Sequence, residues 1–235
     1  MTLLSVVQDV CEVVGVLQPT SIFSNLTNNR TMQEMLALGN EMAQRIAYDT
    51  RDWQKLRKVQ VCNGDGATTQ FDLPANYQRM LLTANVWRST SAMQPMRFIP
   101  DLDEWLQRRA HNWVDAWGEW TIQGGQMWIW PAMGAGVTAT FAYLDKNCVA
   151  LTSSGTGNTF AADTDTFLLD ERVFKLGMIW QWKANKGSPY QEDLGTYGDA
   201  LASVAGRDSP APIIVGRKSI SLAARTAYPW PVPTP

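Results

Sequence analysis

Apolar positions recur at the helical period at both ends of the chain and alternate along its middle, so the sequence divides by pattern before any motif is sought. Toward the C-terminal end, Leu169, Val173, Leu176 and Trp180 form one helical stripe behind Asp170 and Glu171. Lys186-Gly187 ends that helix, because glycine takes the left-handed conformation after a helix terminus. Ser188-Pro189-Tyr190-Gln191 restarts the chain, with Ser188 as N-cap, Pro189 at the first helical position and Gln191 closing a capping box. Leu194, Tyr197, Leu201 and Val204 carry the second stripe, and the short connection predicts an antiparallel helical hairpin over 164–207.

Two more helices are predicted at the other end, over 3–14 and 32–49. The first places Val6, Val10, Val13 and Val14 on its stripe, has Ser5 and Gln8 at capping-box spacing, and stops at Gly15. It is valine-rich, so its intrinsic propensity is poor and tertiary packing must hold it. The second opens on Thr31 and Glu34 and carries Met32, Met35, Leu38 or Gly39, Met42 and Ile46. Ala37, Ala43 and Ala47 are small enough to admit a neighbouring helix, and the methionines read as packed core rather than a cofactor pocket.

At Arg57 the period changes. Lys58-Val59-Gln60-Val61 alternates, Asn63-Gly64-Asp65-Gly66 is a turn signal, and 68–73 alternates again, which predicts a hairpin. The turn is not an EF-hand loop, which needs further acidic ligands and a late Glu. Residues 74–79 read as a turn, and 80–88 and 94–98 as strands. A short helix runs to Arg109, with Asp101, Asp103 and Glu104 at its start and Arg108 and Arg109 at its end, the order that suits a helix dipole. Strands follow over 119–123, 126–130 and 137–144, the first two joined by Gly124-Gly125; Trp120, Ile122, Met127, Ile129, Thr138, Thr140 and Ala142 sit at alternating positions. A short strand over 148–151 and a loop over 151–166 lead back to the helices.

The expected fold is α+β: a helical bundle of two N-terminal and two C-terminal helices, with an inserted antiparallel β-sandwich or barrel and an extended C-terminal arm. The expected divisions are 1–56 and 165–207 for the two halves of the helical domain, 57–164 for the β-insert, and 208–235 for the arm.

Composition narrows the function. The chain has 235 residues, enough for a sizeable core, a net charge of −2 and a pI of about 5.4. That argues against a general nucleic-acid binder, which shows a basic face, but allows a protein that surrounds DNA without gripping it. Cys11, Cys62 and Cys148 form no CxxC pair and read as reduced, packed thiols. The lone His111 beside Asn112 and Trp113 reads as a surface or interface residue. No metal, cofactor or catalytic constellation stands out; the acidic cluster at Asp101, Asp103 and Glu104 is explained by helix-start electrostatics. No signal peptide or membrane span is expected, so the protein is expected to be made in the cytoplasm. Tryptophan is abundant, with 11 residues, most of them between Trp87 and Trp130. Burial in a β-core or a subunit interface is one use of them and a glycan-binding or glycan-cleaving surface another.

The arm is a different kind of sequence. Pro210, Pro212, Pro229, Pro231, Pro233 and Pro235 punctuate it, and Arg217, Lys218 and Arg225 against Asp208 make it net +2, leaving −4 for residues 1–207. It cannot fold alone and is expected to dock on a neighbouring subunit or a partner, with Ile213, Ile214 and Val215 adding a strand to a sheet edge. Its expected contact residues are these three with Arg217, Lys218, Arg225, Tyr228 and Trp230.

Three stretches carry a family resemblance: Glu41-Met42-Ala43-Gln44-Arg45-Ile46 with Asp52-Trp53-Gln54-Lys55-Leu56; Phe71-Asp72-Leu73-Pro74-Ala75-Asn76-Tyr77-Gln78-Arg79; and Leu168-Leu169-Asp170-Glu171-Arg172-Val173-Phe174-Lys175-Leu176-Gly177, followed by Asp193-Leu194-Gly195-Thr196-Tyr197 and Ala200-Leu201. In this order the chain resembles phage head-to-tail adaptors, the class of tail tubular protein A and the head-completion or packaged-DNA-stabilisation proteins. The resemblance implies a non-enzymatic virion protein at the neck, copies of which form a ring, usually twelve-fold, under the portal. The implied partners are the portal protein, a tail or nozzle protein and further copies of the chain. DNA would pass through the lumen without sequence-specific binding, and no membrane or cofactor is implied. The same resemblance implies that the helical part meets the portal, the β-part faces the tail and the arm climbs onto the portal.

Overall fold

The computed structural model describes residues 1–26, 29–90, 94–153 and 155–208; all eight expected contact residues of the arm, from Ile213 to Trp230, lie outside the described residues. The helices are α1 (Leu3–Val14), α2 (Arg30–Tyr48), α3 (Leu102–Ala110), α4 (Glu171–Asn185) and α5 (Gln191–Asp208). The strands are β1 (Arg57–Asn63), β2 (Gln70–Asp72), β3 (Tyr77–Met80), β4 (Trp87–Arg88), β5 (Arg97–Phe98), β6 (Glu119–Gln123), β7 (Gln126–Trp130), β8 (Thr138–Asp145), β9 (Val149–Ala150), β10 (Thr156–Gly157) and β11 (Thr166–Phe167). The fold is α+β, as the patterning requires.

Local chemistry sets the helix ends, at places one turn or less from those expected. Thr2, not Ser5, caps α1 by accepting from the Ser5 amide, and Asn29, not Thr31, caps α2 by accepting from the Thr31 amide. Asp170 caps α4 by accepting from the Val173 amide at 3.0 Å. At the far end of α4, the Ser188 amide donates to Lys183 O at 2.9 Å and the Gly187 amide to Ala184 O at 3.1 Å, with Gly187 at φ +69°. This is a Schellman motif, which turns the chain back into α5.

α4 packs against α1, α2 and α5, and its burial reflects that. Val173, Phe174, Gly177, Met178, Ile179 and Trp182 are buried, whereas Leu169, Leu176 and Trp180 of the expected stripe are half-buried. A second set, Phe174, Met178 and Trp182, therefore lies beside the first, because a helix with three neighbours has more than one apolar side. Trp180 approaches Tyr190 and Tyr197, with ring centroids 6.4 and 6.1 Å away. Two glycines set the helix spacing. A Cβ at Gly39 would lie 3.6 Å from Phe174 and 3.8 Å from Leu3; one at Gly177 would lie 2.6 Å from Met42 Sδ and 3.2 Å from Tyr197. On α1 the buried residues are Leu3, Val6, Val7, Val10 and Cys11, and Val13 is exposed. On α2 the expected methionine stripe is buried with Ala43 and Ala47, and Ala37 faces out. Leu144, Cys148, Val149, Phe160 and Phe167 join this core, the two phenylalanines stacking on Phe174 at 5.6 and 5.1 Å.

Two sheets face each other across a second core. In one, β8 is central, with β1 on one side and β3 and β4 on the other; the second has the order β2-β7-β6-β5. Their shared interior holds Cys62, Val86, Met96, Trp120, Met127, Ile129, Met133, Ala139, Phe141 and Tyr143. On β8 the buried set is thus Ala139, Phe141 and Tyr143, not the half-buried Thr138, Thr140 and Ala142. The sheets are antiparallel except for β5 against β6, which run parallel. Beside the helices, β9 pairs with β10 and β11 in a small third sheet.

The hairpin expected over 58–73 does not form. β1 pairs with β8 and β2 with β7, so the Asn63–Gly66 turn carries the chain from one sheet to the other. Gly64 abuts Met133, where a Cβ would lie 2.5 Å from its backbone oxygen, and the Gly64 and Gly66 amides donate to Val137 O and Met133 O. The turn is therefore shaped by a distant segment. Asp65 braces it by accepting from the Ala67 and Thr68 amides and the Thr68 hydroxyl, bonds that lower its pKa to about 2. Residues 77–79, expected in a turn, belong to β3, because the end of β8 offers Tyr77–Met80 a partner.

The way back into the helices is fixed by two aspartates. Asp163 accepts from the Ile22 and Phe23 amides and the Ser21 hydroxyl, and its carbonyl receives the Leu4 amide at 3.1 Å. Asp165 is buried; its carboxylate accepts from the amides of Thr152, Ala161 and Ala162 at 2.9, 2.7 and 2.7 Å, and its carbonyl receives the Leu3 amide. The two carbonyls thus satisfy amides of the first turn of α1. Burial pushes the Asp165 carboxyl up, but the three amides outweigh it and hold the pKa below its usual value. A depressed native pKa stabilises the fold above the unfolded value and loses that contribution as pH falls through the native one. Asp165→Asn is expected to cost on the order of 3 kcal/mol at pH 7, from buried amides left poorly paired. In thermal melts the gap to the parent should narrow as pH drops toward 3; a gap constant with pH contradicts the ionised clasp.

Candidate interaction surfaces

α5 has one buried side and one open side. Tyr197 and Ala200 are buried, Leu201, Val204 and Ala205 half-buried, and Leu194 at the first turn is 37% exposed. The helix starts at Gln191, after Pro189-Tyr190 rather than on Pro189. Its outer side includes Gly195, Gly198, Ala202, Ser203 and Gly206, and a Cβ at any of the three glycines would meet nothing within 4 Å.

The last turn of α5 is pinned where the β-part begins. Asp208 accepts from the Gln54 amide at 3.2 Å and pairs with Arg51 at 3.6 Å; Gln54 donates from its side chain to the Asp208 carbonyl, and Arg51 donates to Ala205 O. The root of the arm therefore lies three residues from the start of β1. A cavity of about 260 Å³ opens there, lined by Trp53, Lys55, Leu169, Asp170, Val204 and Arg207. Beside it, Arg79 pairs with Asp52 at 2.5 Å, and the other Asp52 oxygen accepts from the Leu82 amide. Tyr77 stacks on Tyr143 at 5.7 Å, and the Tyr143 hydroxyl donates to Asn76. Two of the stretches that carry the family resemblance, at 52–56 and 71–79, thus meet in one contact between helices and sheet.

The polar residues on the outer side of α4 serve the bundle itself. Lys183 pairs with Asp193 of α5 at 2.7 Å, and Lys186 with Glu34 of α2 at 2.6 Å. Lys186 also lies 4.6 Å over the ring of the buried Trp182. The hydrogen bonds from Lys186 and then Arg30 hold the Glu34 carboxyl below its usual pKa.

On the β-part, α3 covers the outer face of the second sheet. Trp105 meets Trp128 edge-on at 6.5 Å and 67°, and the Arg109 guanidinium lies 3.4 Å over the Trp130 ring. A glycan surface calls for exposed, coplanar tryptophans. Trp53, Trp105, Trp120 and Trp182 are instead buried, and the exposed Trp87 and Trp113 belong to separate elements, β4 and the segment after α3. His111 stacks beside Trp113 at 5.6 Å.

The acidic cluster is structural. Asp101 caps α3 by accepting from the Asp103 amide, and Glu104 pairs with Arg108 and Arg97. The perturbed carboxylate is one the patterning passed over: Glu119, 1% exposed and 3.0 Å from Arg108 Nη1. Burial raises its pKa, opposed by Arg108 and then Arg97. In sequence Glu119 stands ten residues after the Arg108-Arg109 pair, with no local spacing that joins them; the ion pair is made by the packing of α3 on β6. All three cysteines are buried, with the Cys62 and Cys148 thiols pushed up to about 11 by burial. Among the described residues no group of three His, Cys, Asp or Glu side chains could hold a metal, and no helix is long and apolar enough to cross a membrane.

β1 is the exposed strand of its sheet. Val59 and Val61 are 64% and 45% exposed, and among the described residues nothing pairs with the edge of β1 opposite β8.

Two glycine substitutions should separate the closed face of the hairpin from the open one. Gly177→Ala forces Met42 aside and is expected to destabilise by about 1–2 kcal/mol despite alanine's better propensity. Gly195→Ala meets no neighbour and is expected to stabilise by about 0.5–1 kcal/mol. Denaturant midpoints check both signs, and equal effects would contradict the assignment of faces.

No curated protein matches the chain. The family described as SU10 adaptor protein matches residues 1–215, which include both helix pairs, the sheets and the start of the arm as far as Val215. The match thus spans every element of the described fold, and the chain belongs to the SU10 adaptor protein family.

Proposed function

We propose that the protein is a structural adaptor of a phage virion, forming a ring between portal and tail at the neck through which DNA passes. The observation that carries this reading is the family match over residues 1–215. The chemistry of the described surface supports it. Residues 1–207 carry a net charge of −4, and Arg51, Arg79, Arg108, Lys175, Lys183 and Lys186 each hold a carboxylate of the same chain. Phosphate binding rests on lysine and arginine free to replace counterions, so a lumen lined by such a body lets DNA slide.

The open side of α5, with Gly195, Gly198 and Gly206, suits contact between copies in a ring, twelve being the number to test first. The domain reading accompanies this proposal: 1–56 and 165–207 act as one helical body, 57–164 as the β-insert toward the tail, and 208–235 as the arm. The arm is net +2, and Arg225, Tyr228 and Trp230 give its distal part the charge and aromatic anchors for an acidic groove on the portal or a neighbouring subunit.

The test is binding to assembled portal rings by the full chain and by a form ending at Arg207. The full chain should add a ring-shaped layer to the portal, seen by electron microscopy, and the shortened form should lose at least tenfold in affinity. A full chain that ignores portals and instead binds peptidoglycan contradicts the adaptor reading.

A further inference from the structure

β1 is an anomaly for a sheet edge. It runs seven residues in unbroken register with β8, has no proline or bulge, and exposes Val59 and Val61. Every second residue of such a strand turns its N–H and C=O away from its partner. Exposed edges of this length are normally blunted by prolines, bulges or charges, because they template pairing with other chains. Here charge guards only one end, at Arg57 and Lys58.

The same chain supplies a strand-like segment close by. The arm begins at Asp208, which is bonded to Gln54, and a single short helical turn, Gln54–Leu56, leads from there into β1. Ser209-Pro210-Ala211-Pro212 follows, and then Ile213-Ile214-Val215-Gly216-Arg217-Lys218-Ser219, with no further proline until Pro229. From Asp208 to Ile213 the chain reaches roughly 17 Å when extended. That is enough to bring Ile213 alongside the first residues of β1. It is too short to reach the far end of β1, which lies about seven strand residues, or roughly 23 Å, away.

We infer that residues 213–219 lie along the open edge of β1 of their own subunit, as a strand parallel to it. Two observations fix the direction. The short Ser-Pro-Ala-Pro connection allows the strand to start only at the Arg57 end, so both run the same way. In that direction Arg217 and Lys218 fall near Val61–Asn63, toward the exposed Asp65 carboxylate, whereas the reverse direction sets them against Arg57 and Lys58, and like charges opposite one another are unfavourable. The two prolines stay outside the ladder, where their missing N–H does no harm. This goes beyond the adaptor reading and holds with or without a portal. It makes the apolar run the anchor of the arm and leaves Arg225, Tyr228 and Trp230 as the part that reaches a partner.

The experiment is residue-resolved amide hydrogen exchange on the full chain, at concentrations where it sedimentates as a monomer. The parent is compared with Val215→Pro, which removes a ladder amide from the arm without touching the body, and with Ile214→Asp, which removes the apolar contact. The outward-facing amides of residues 57–63 are expected to exchange at least tenfold more slowly in the parent than in either variant, with a protection that does not change on dilution. Equal rates in all three proteins overturn the inference. So does protection that fades on dilution, which would place the strand on another copy. Portal binding measured on the same samples keeps the two readings apart: protected β1 without portal binding counts against the adaptor, and portal binding with unprotected β1 counts against the strand.

Discussion

The structure depends on the burial of α4 among three other helices. A helix with a single partner can be amphipathic; α4 cannot, because α1, α2 and α5 all lie on it. Gly177 is the tightest point, where Met42 of α2 and Tyr197 of α5 press on the α4 backbone from two sides. Without a side chain there, two helices approach the axis closely. A fully buried large apolar side chain contributes about 1.5–3 kcal/mol, so Phe174 and Met178 alone outweigh the poor intrinsic propensity of the valine-rich α1 that covers them. The long β-excursion between α2 and α4 is tolerable because both of its ends are tied to this bundle: Asp52 with Arg79 on the way out, Asp163 and Asp165 on the way back.

What was legible in the sequence was what local chemistry decides. Helix periods, the stop at Gly187, the caps at Asp101 and Asp170, and the Gly124-Gly125 turn all depend on a few neighbouring residues. The caps of α1 and α2 and the start of α5 lie a turn or less from their expected places, and the larger errors fall where distant partners decide. Lys58–Val61 and the turn after it carry every local mark of a hairpin, yet β8 offers β1 a longer ladder, and Met133 fills the space beside Gly64. Tyr77–Arg79 follows a proline and reads as turn, but the end of β8 completes it as a strand. On α4 a single stripe was visible, and the second, through Phe174, Met178 and Trp182, could be read only with the knowledge that α1 and α2 flank it. Of the interaction surfaces, the root of the arm was legible as a change of composition at Asp208. That this root is bonded to Gln54, and so stands beside an open strand, is tertiary information.

Structure and proposed role meet in how the charges are used. Several cations of the helical body are engaged by carboxylates of the same chain, Lys183 and Lys186 binding α4 to its neighbours. Among the exposed surfaces, the glycines of α5 and Val59 and Val61 of β1 carry little or no charge. A body of net charge −4 with an arm of net +2 suits a protein that must hold other proteins around a polyanion without gripping it.

The most direct test of this account is an image of the assembled neck at side-chain resolution. It predicts copies of this chain in a closed ring between portal and tail, each with α4 enclosed by α1, α2 and α5, and with the arm leaving beside Gln54. A neck whose adaptor layer is made by another protein, with this chain elsewhere in the particle or absent from it, would contradict the account.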